Sequence, residues 1–86
     1  MNIVIKFSAS WCKPCSILQK QIDELNIDPD VCIFEFYDID EYPELAKEYN
    51  IRSLPTLVKL NDESMIEVSR KFGSMSTSQL IEFCNE

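Results

Sequence analysis

Two cysteines three positions apart, with a tryptophan before them and Lys-Pro between them, constrain this chain more than any other feature: Ala9-Ser10-Trp11-Cys12-Lys13-Pro14-Cys15. The run Asn2–Ser8 before it reads as a buried strand, and a helical pattern follows. A Cys-x-x-Cys at such a junction sets the first sulfur at a helix N-terminus. There the unpaired backbone N–H groups and the positive end of the helix dipole stabilise a thiolate. The thiolate is the species that attacks disulfides. Pro14 suits the first helical turn, where its missing N–H has no partner to lose. The stretch reads as redox chemistry.

Three other readings compete. Zinc needs two further ligands, but the chain has no histidine, and Cys32 and Cys84 stand alone without a second knuckle. A purely structural disulfide is weak, because closing so short a loop stabilises by only about 2 kcal/mol on the chain-entropy argument. Two structural free thiols leave Trp11-Cys12-Lys13-Pro14-Cys15 unexplained.

The stretch from Ala9 to Cys15 resembles the active-site motif of the thioredoxin family, in which the intervening pair is usually Gly-Pro. Ile51-Arg52-Ser53-Leu54-Pro55-Thr56 is similar to the family's cis-proline segment. Lys71-Phe72-Gly73, followed by Ser76-Thr77-Ser78-Gln79-Leu80, resembles its glycine turn and last helix. The resemblance implies an α/β fold, a four-stranded mixed sheet flanked by three helices. It also implies a redox-active Cys12–Cys15 disulfide with no further cofactor.

The 86 residues are expected to form one domain, residues 1–86. The start, Met1-Asn2-Ile3-Val4-Ile5-Lys6-Phe7, has no basic region of the kind a secretory signal carries, and no apolar run approaches membrane-spanning length. Cys32 and Cys84 lie in apolar patterns, where a free thiol behaves as a small hydrophobe. The expectation is a protein of the reducing cytoplasm, monomeric and without membrane partners. A net charge of −7 with eight scattered basic residues argues against nucleic acid, whose phosphates need clustered Lys and Arg. The acid load serves solubility, with a bias toward basic partner surfaces as a second possibility.

Along the chain, Asn2–Phe7 is a central strand covered on both faces, apolar except for Lys6. Cys15, Leu18, Ile22 and Leu25 give the helical spacing from Pro14 to Leu25, and Val31–Tyr37 is the second strand of a right-handed βαβ unit. A short helix follows with Pro43 in its first turn; Tyr42, Leu45, Ala46 and Tyr49 form its inner stripe, and Asn50 supplies a left-handed stop. Thr56–Leu60 and Met65–Lys71 make an antiparallel hairpin around Asn61-Asp62-Glu63-Ser64. The last helix opens on a capping box of Ser76 and Gln79, Met75 packs on Leu80, and Leu80, Ile81 and Cys84 face inward. The order is βαβαββα. The resemblance places the outline near the size of a minimal glutaredoxin, lacking the extra N-terminal strand and helix of full-length thioredoxins.

The function expected is reduction of protein disulfides by the Cys12/Cys15 dithiol. Cys12, at the exposed helix start, attacks the substrate disulfide; Cys15, one turn further in, resolves the mixed disulfide. Lys13 either lowers the Cys12 pKa as a neighbouring cation or is simply solvated. The resemblance makes Trp11 an apolar contact surface and Leu54-Pro55 the second half of the site. There the Leu54 backbone meets an extended substrate segment, with an ordinary trans proline on an edge strand as the plain alternative. Gly73 either lets the backbone approach the groove or makes a strand-to-helix turn. Where thioredoxins commonly carry a buried Asp beneath the second cysteine, this chain has Lys6. It either reaches the sheet edge or pairs with Glu35 or Asp38, or else lies near the sulfurs and acts on their protons.

The resemblance names a thioredoxin reductase as the reductant. A glutaredoxin-like enzyme reduced by glutathione is the alternative, favoured by the short chain and opposed by Trp11. Gly73-Ser74-Met75 also lacks the Gly-Gly and acidic pair common in glutaredoxins. A non-catalytic binding module on the same fold is the third reading.

Overall fold

Ile3 through Phe7 are buried without interruption because the strand that contains them has helices on both sides. The computed structural model describes residues 1–86. It places β1 (Asn2–Ser8), α1 (Lys13–Asp23), β2 (Cys32–Asp38), α2 (Pro43–Glu48), β3 (Thr56–Asn61), β4 (Glu67–Phe72) and α3 (Thr77–Asn85) in that order. The expected βαβαββα succession is the one observed. The four strands form one mixed sheet in the order β2-β1-β3-β4. β1 is parallel to β2 and antiparallel to β3, and β3 is antiparallel to β4.

Alternation along the central strands divides the core in two. Val4 and Leu57 face Leu18 and Ile22 of α1 and Leu80 and Phe83 of α3. Ile3, Ile5, Phe7, Val58 and Leu60 face the other way, against Leu45 of α2 and Tyr49 at its C-cap. Each fully buried Leu or Phe in these layers contributes about 1.5–3 kcal/mol relative to exposure. Lys6 shares the α1 face with Val4, so the one charged residue of β1 points beneath the helix that carries both active-site cysteines.

Local chemistry sets the ends of the elements, and in places it departs from the sequence pattern. α1 stops at Asp23 with Glu24 as its C-cap, short of Leu25, which still packs on the core. β4 starts at Glu67 rather than Met65. The Asn61 side-chain oxygen accepts from the backbone N–H groups of Glu63 and Ser64 at 2.9 and 3.2 Å, and Met65 takes φ +57°, so the turn consumes Met65 and Ile66. Asn50 adopts φ +56°, the left-handed stop expected of it. Tyr42 is not part of an inner stripe: it occupies the N-cap position of α2, half-exposed, with its ring edge-on to Tyr37 at 5.0 Å. The capping box of α3 is present, Gln79 N–H donating to Ser76 Oγ and Ser76 N–H to Gln79 Oε1. Ile81 faces solvent, and Phe83 takes the inward position beside Leu80 and Cys84.

Candidate active site

Cys12 is the N-cap of α1. Its backbone is extended, and its Sγ accepts a hydrogen bond from the Cys15 N–H at 3.3 Å. A sulfur held there faces the first N–H groups of the helix, and no acidic side chain occupies the first turn to oppose a negative charge. Pro14 lies in that turn. Cys12 and Cys15 are joined as a disulfide, with their Cα atoms 5.3 Å apart. Ala9 and the two cysteines pack as a small buried cluster under Ile39 and Leu54. Cys12 is therefore more covered than expected of an exposed helix start, at 7% exposure against 2% for Cys15.

What opens onto Cys12 is a groove of about 560 Å³. Trp11, Lys13 and Pro14 form one side of it, and Ile51, Arg52 and Leu54 the other. Trp11 is 68% exposed, its indole N–H held by Asp40 at 3.0 Å, so a broad apolar surface stands fixed beside the sulfur. The Leu54-Pro55 peptide is cis. Leu54 lines the groove, while Pro55 is buried behind it and its carbonyl accepts from Gly73 N–H at 2.9 Å. Gly73 has φ +71°, and no atom lies within 4 Å of where a Cβ would be. Its conformation answers the need of a turn; it is not a wall of the groove.

Lys6 is 2% exposed. Its Nζ donates to the Cys15 carbonyl at 2.9 Å and to Gln19 Oε1 at 2.7 Å, and Gln19 in turn donates to Asp23 at 2.9 Å. Neither Glu35 nor Asp38 is its partner; Glu35 accepts from the Tyr37 hydroxyl instead. Burial holds the Lys6 ammonium below its ordinary pKa, and the Asp23 carboxylate works in the opposite direction. Lys6, Gln19, Asp38 and the two cysteines border a second opening of about 290 Å³, whose lining does not include Trp11. No group of three or more His, Cys, Asp or Glu side chains is arranged to hold a metal ion.

The thioredoxin family model matches residues 1–86. This chain belongs to the thioredoxin family. It is 34% identical over 81 residues to the thioredoxin of Mycoplasmoides gallisepticum, covering 94% of this chain and 79% of that one. It is also 34% identical over 85 residues to the thioredoxin of Chlamydia trachomatis, covering 98% and 80%. Among solved structures, oxidised mitochondrial thioredoxin 3 of Saccharomyces cerevisiae superposes with a TM-score of 0.82 at 29% identity, over 96% of this chain and 76% of that one. The Fasciola hepatica thioredoxin gives 0.83 at 30% identity, over 96% and 77%. With the Cys12–Cys15 disulfide in place, this family member is a thiol–disulfide oxidoreductase acting on protein disulfides, through a thioredoxin fold of the expected architecture.

Three residues beside the sulfurs go beyond those singled out in the sequence. Arg52 and Ile39 border the groove, and Gln19 holds Lys6. Arg52 adjoins the Leu54-Pro55 segment, and Gln19 lies one helical turn beyond Cys15, which is the only sequence signal either one offers.

Proposed function

We propose that Cys12 is the attacking sulfur and Cys15 the resolving one in a cycle that reduces protein disulfides at the cost of electrons from a thioredoxin reductase. The observation that carries this order is the position of Cys12 at the N-cap, with its sulfur on the groove and hydrogen-bonded to the Cys15 N–H. In the reduced protein the same N–H and the helix dipole favour the Cys12 thiolate over the Cys15 one. The thiolate attacks one substrate sulfur, the S–S bond breaks, and the departing sulfur leaves as a thiolate. Cys15 then loses its proton and attacks Cys12, reforming the disulfide seen here and releasing the second substrate thiol.

Trp11 and Leu54 flank the sulfur as apolar contacts for an extended substrate segment, with Leu54 backbone groups available for strand-like pairing. Lys13 and Arg52 place two cations on the groove of an otherwise acidic chain. Lys6 acts as a positioning residue, tying the Cys15 carbonyl and leaving its Nζ beside the opening onto the sulfurs. Electron transfer of this kind suits a monomer in the reducing cytoplasm, maintaining its thiol balance.

The deciding experiment is a coupled assay of insulin reduction, with NADPH and thioredoxin reductase in one arm and glutathione with its reductase in the other. Turnover in the first arm alone supports the reading. Turnover with glutathione alone would move the protein to glutaredoxin-like use, and a Cys12→Ser protein with full biological activity would make it a binding module.

A further inference from the structure

At the opposite end of the sheet from the active site the molecule holds a second pair of sulfurs. Cys32 opens β2 and Cys84 lies in the last turn of α3; both are free, with 4% and 0% exposure, in one buried cluster. Side-chain hydrogen bonds to the α3 backbone tie the helix end to the sheet independently of the sulfurs. Asn2 is the β1 partner of Cys32, and its Nδ2 donates to the Cys84 carbonyl at 3.0 Å. Lys59, 2% exposed on the neighbouring strand, donates to the Phe83 carbonyl at 3.0 Å. Sharing that cluster, the two thiols are unequal: Cys32 is lowered by the neighbouring Cys84 thiol and the Lys59 ammonium against the opposing effect of burial, whereas Cys84 is raised by Cys32 and by burial. Two thiols in one buried cluster, with the Lys59 ammonium bonded to the residue before Cys84, are placed for more than filling space.

We propose that Cys32 and Cys84 form a second redox pair, closed to a disulfide by small hydroperoxides, which clamps the start of β2 to the end of α3. Cys32 pairs with Asn2, six residues along β1 from Ser8, so the pair lies about 20 Å from the active-site end of the strand. Both sulfurs are too buried to meet a protein disulfide, so the oxidant proposed is one as small as hydrogen peroxide. The Cys32 thiolate attacks one peroxide oxygen; an S–O bond forms, the O–O bond breaks, and the departing hydroxide takes a proton to become water. The Cys84 sulfur then attacks Cys32; the S–S bond forms, the S–O bond breaks, and a second water leaves with the Cys84 proton. The sulfurs together lose two electrons and the peroxide gains them.

The test treats the native protein with hydrogen peroxide, blocks remaining thiols in denaturant, and maps disulfides by mass spectrometry after trypsin. The active-site pair falls within peptide 7–20, Cys32 within 21–47 and Cys84 within 72–86, so the wild-type protein reports both sites separately. A Cys12→Ser/Cys15→Ser protein, checked for native circular dichroism, repeats the measurement with only the second pair present. The expected result is simultaneous loss of both thiols, a link between peptides 21–47 and 72–86 within one monomer, recovery with dithiothreitol, and a Tm raised by several degrees. Thiols that survive peroxide at concentrations oxidising a free thiol, oxidation that stops at single-sulfur acids, or links only between molecules would overturn the proposal.

Discussion

The Nζ of Lys6 lies 2.9 Å from the carbonyl oxygen of Cys15, so a buried ammonium on the central strand is tied to the helix that carries both redox sulfurs. Its second bond, to Gln19 at 2.7 Å, continues through Gln19 to Asp23. A desolvated lysine is costly unless its donors are used. Here neutral acceptors use two of them, with the Asp23 carboxylate one residue further off.

That arrangement predicts a pH signature. Burial lowers the folded pKa of Lys6 below the unfolded value of 10.5, so between the two values the unfolded chain holds more protons than the folded one. Stability therefore rises with pH across that window on account of Lys6. In Lys6→Met the rise is absent, and the stability of the variant relative to the wild type declines as the pH is raised toward 10.5. Urea unfolding of the oxidised proteins at a series of alkaline pH values measures this. A relative stability that does not change with pH would mean that Lys6 titrates as a solvated lysine.

The same variant bears on the chemistry. One positive charge at about 6 Å and an effective dielectric of about 20 is worth up to about 3 kcal/mol, or two pKa units, before pairing and partial deprotonation reduce it. Lys6→Met should raise a cysteine titration in the reduced protein and slow insulin reduction near neutral pH. Thiolate absorbance against pH, with the exchange rate on the same samples, checks it; unchanged curves and rates would leave Lys6 a purely structural residue.

Much of the fold was legible because two periodicities are clean. The apolar run of β1 and the spacing of Cys15, Leu18 and Ile22 fix strand, helix and the junction between them, and all three helix residues are buried as that spacing requires. Lys59 was not legible. A lysine in Val58-Lys59-Leu60 reads as an outward side chain, yet both faces of β3 are covered, and Lys59 is kept there by the carbonyls of Phe83 and Glu86. Those acceptors exist only once α3 has docked by its C-terminal end. Lys6 is the same case, since its partners lie on a helix that strand periodicity does not describe. Ile81 and Phe83 exchanged roles because a nine-residue helix has one inward stripe, and tertiary docking selects Leu80, Phe83 and Cys84 for it.

Cys12 should titrate below the ordinary thiol value of about 8.5 in the reduced protein, as the N-cap sulfur facing helix N–H groups. Iodoacetamide at neutral pH is then expected to label Cys12 first, with Cys15, Cys32 and Cys84 protected by burial. Cys15→Ser should accumulate a mixed disulfide with a protein substrate, and Cys12→Ser none. Peptide mapping that found Cys15 the faster thiol would reverse the two roles.

Lys13 stands exposed on the groove next to Cys12. If its charge stabilises the thiolate it also stabilises the reduced form, and each 1.4 kcal/mol or so of that raises the potential by about 30 mV. Lys13→Gly should make the protein more reducing in a glutathione redox titration. A potential that stays put or rises would show the lysine to be merely solvated.

Ser76 and Gln79 cap each other at the start of α3, which buries Leu80, Phe83 and Cys84. Ser76→Ala should cost about 1 kcal/mol and lower Tm by roughly 4–8 °C, while insulin reduction below the transition stays at the parent rate. A variant as stable as the parent would mean that water replaces the cap without loss.

Gly73 separates a turn role from a binding role. Its φ of +71° strains any L side chain, but the space around the missing Cβ is empty, so alanine there meets backbone strain and no clash. The cost expected for Gly73→Ala is about 1–2 kcal/mol. Gly73→Asn should cost less, since asparagine tolerates the left-handed region. Both variants keep the Gly73 N–H bond to the Pro55 carbonyl, and with it the backing of Leu54. The KM for a protein disulfide should therefore be unchanged while Tm falls, more for alanine than for asparagine. A KM that rises severalfold at full stability would instead place residue 73 in contact with the substrate.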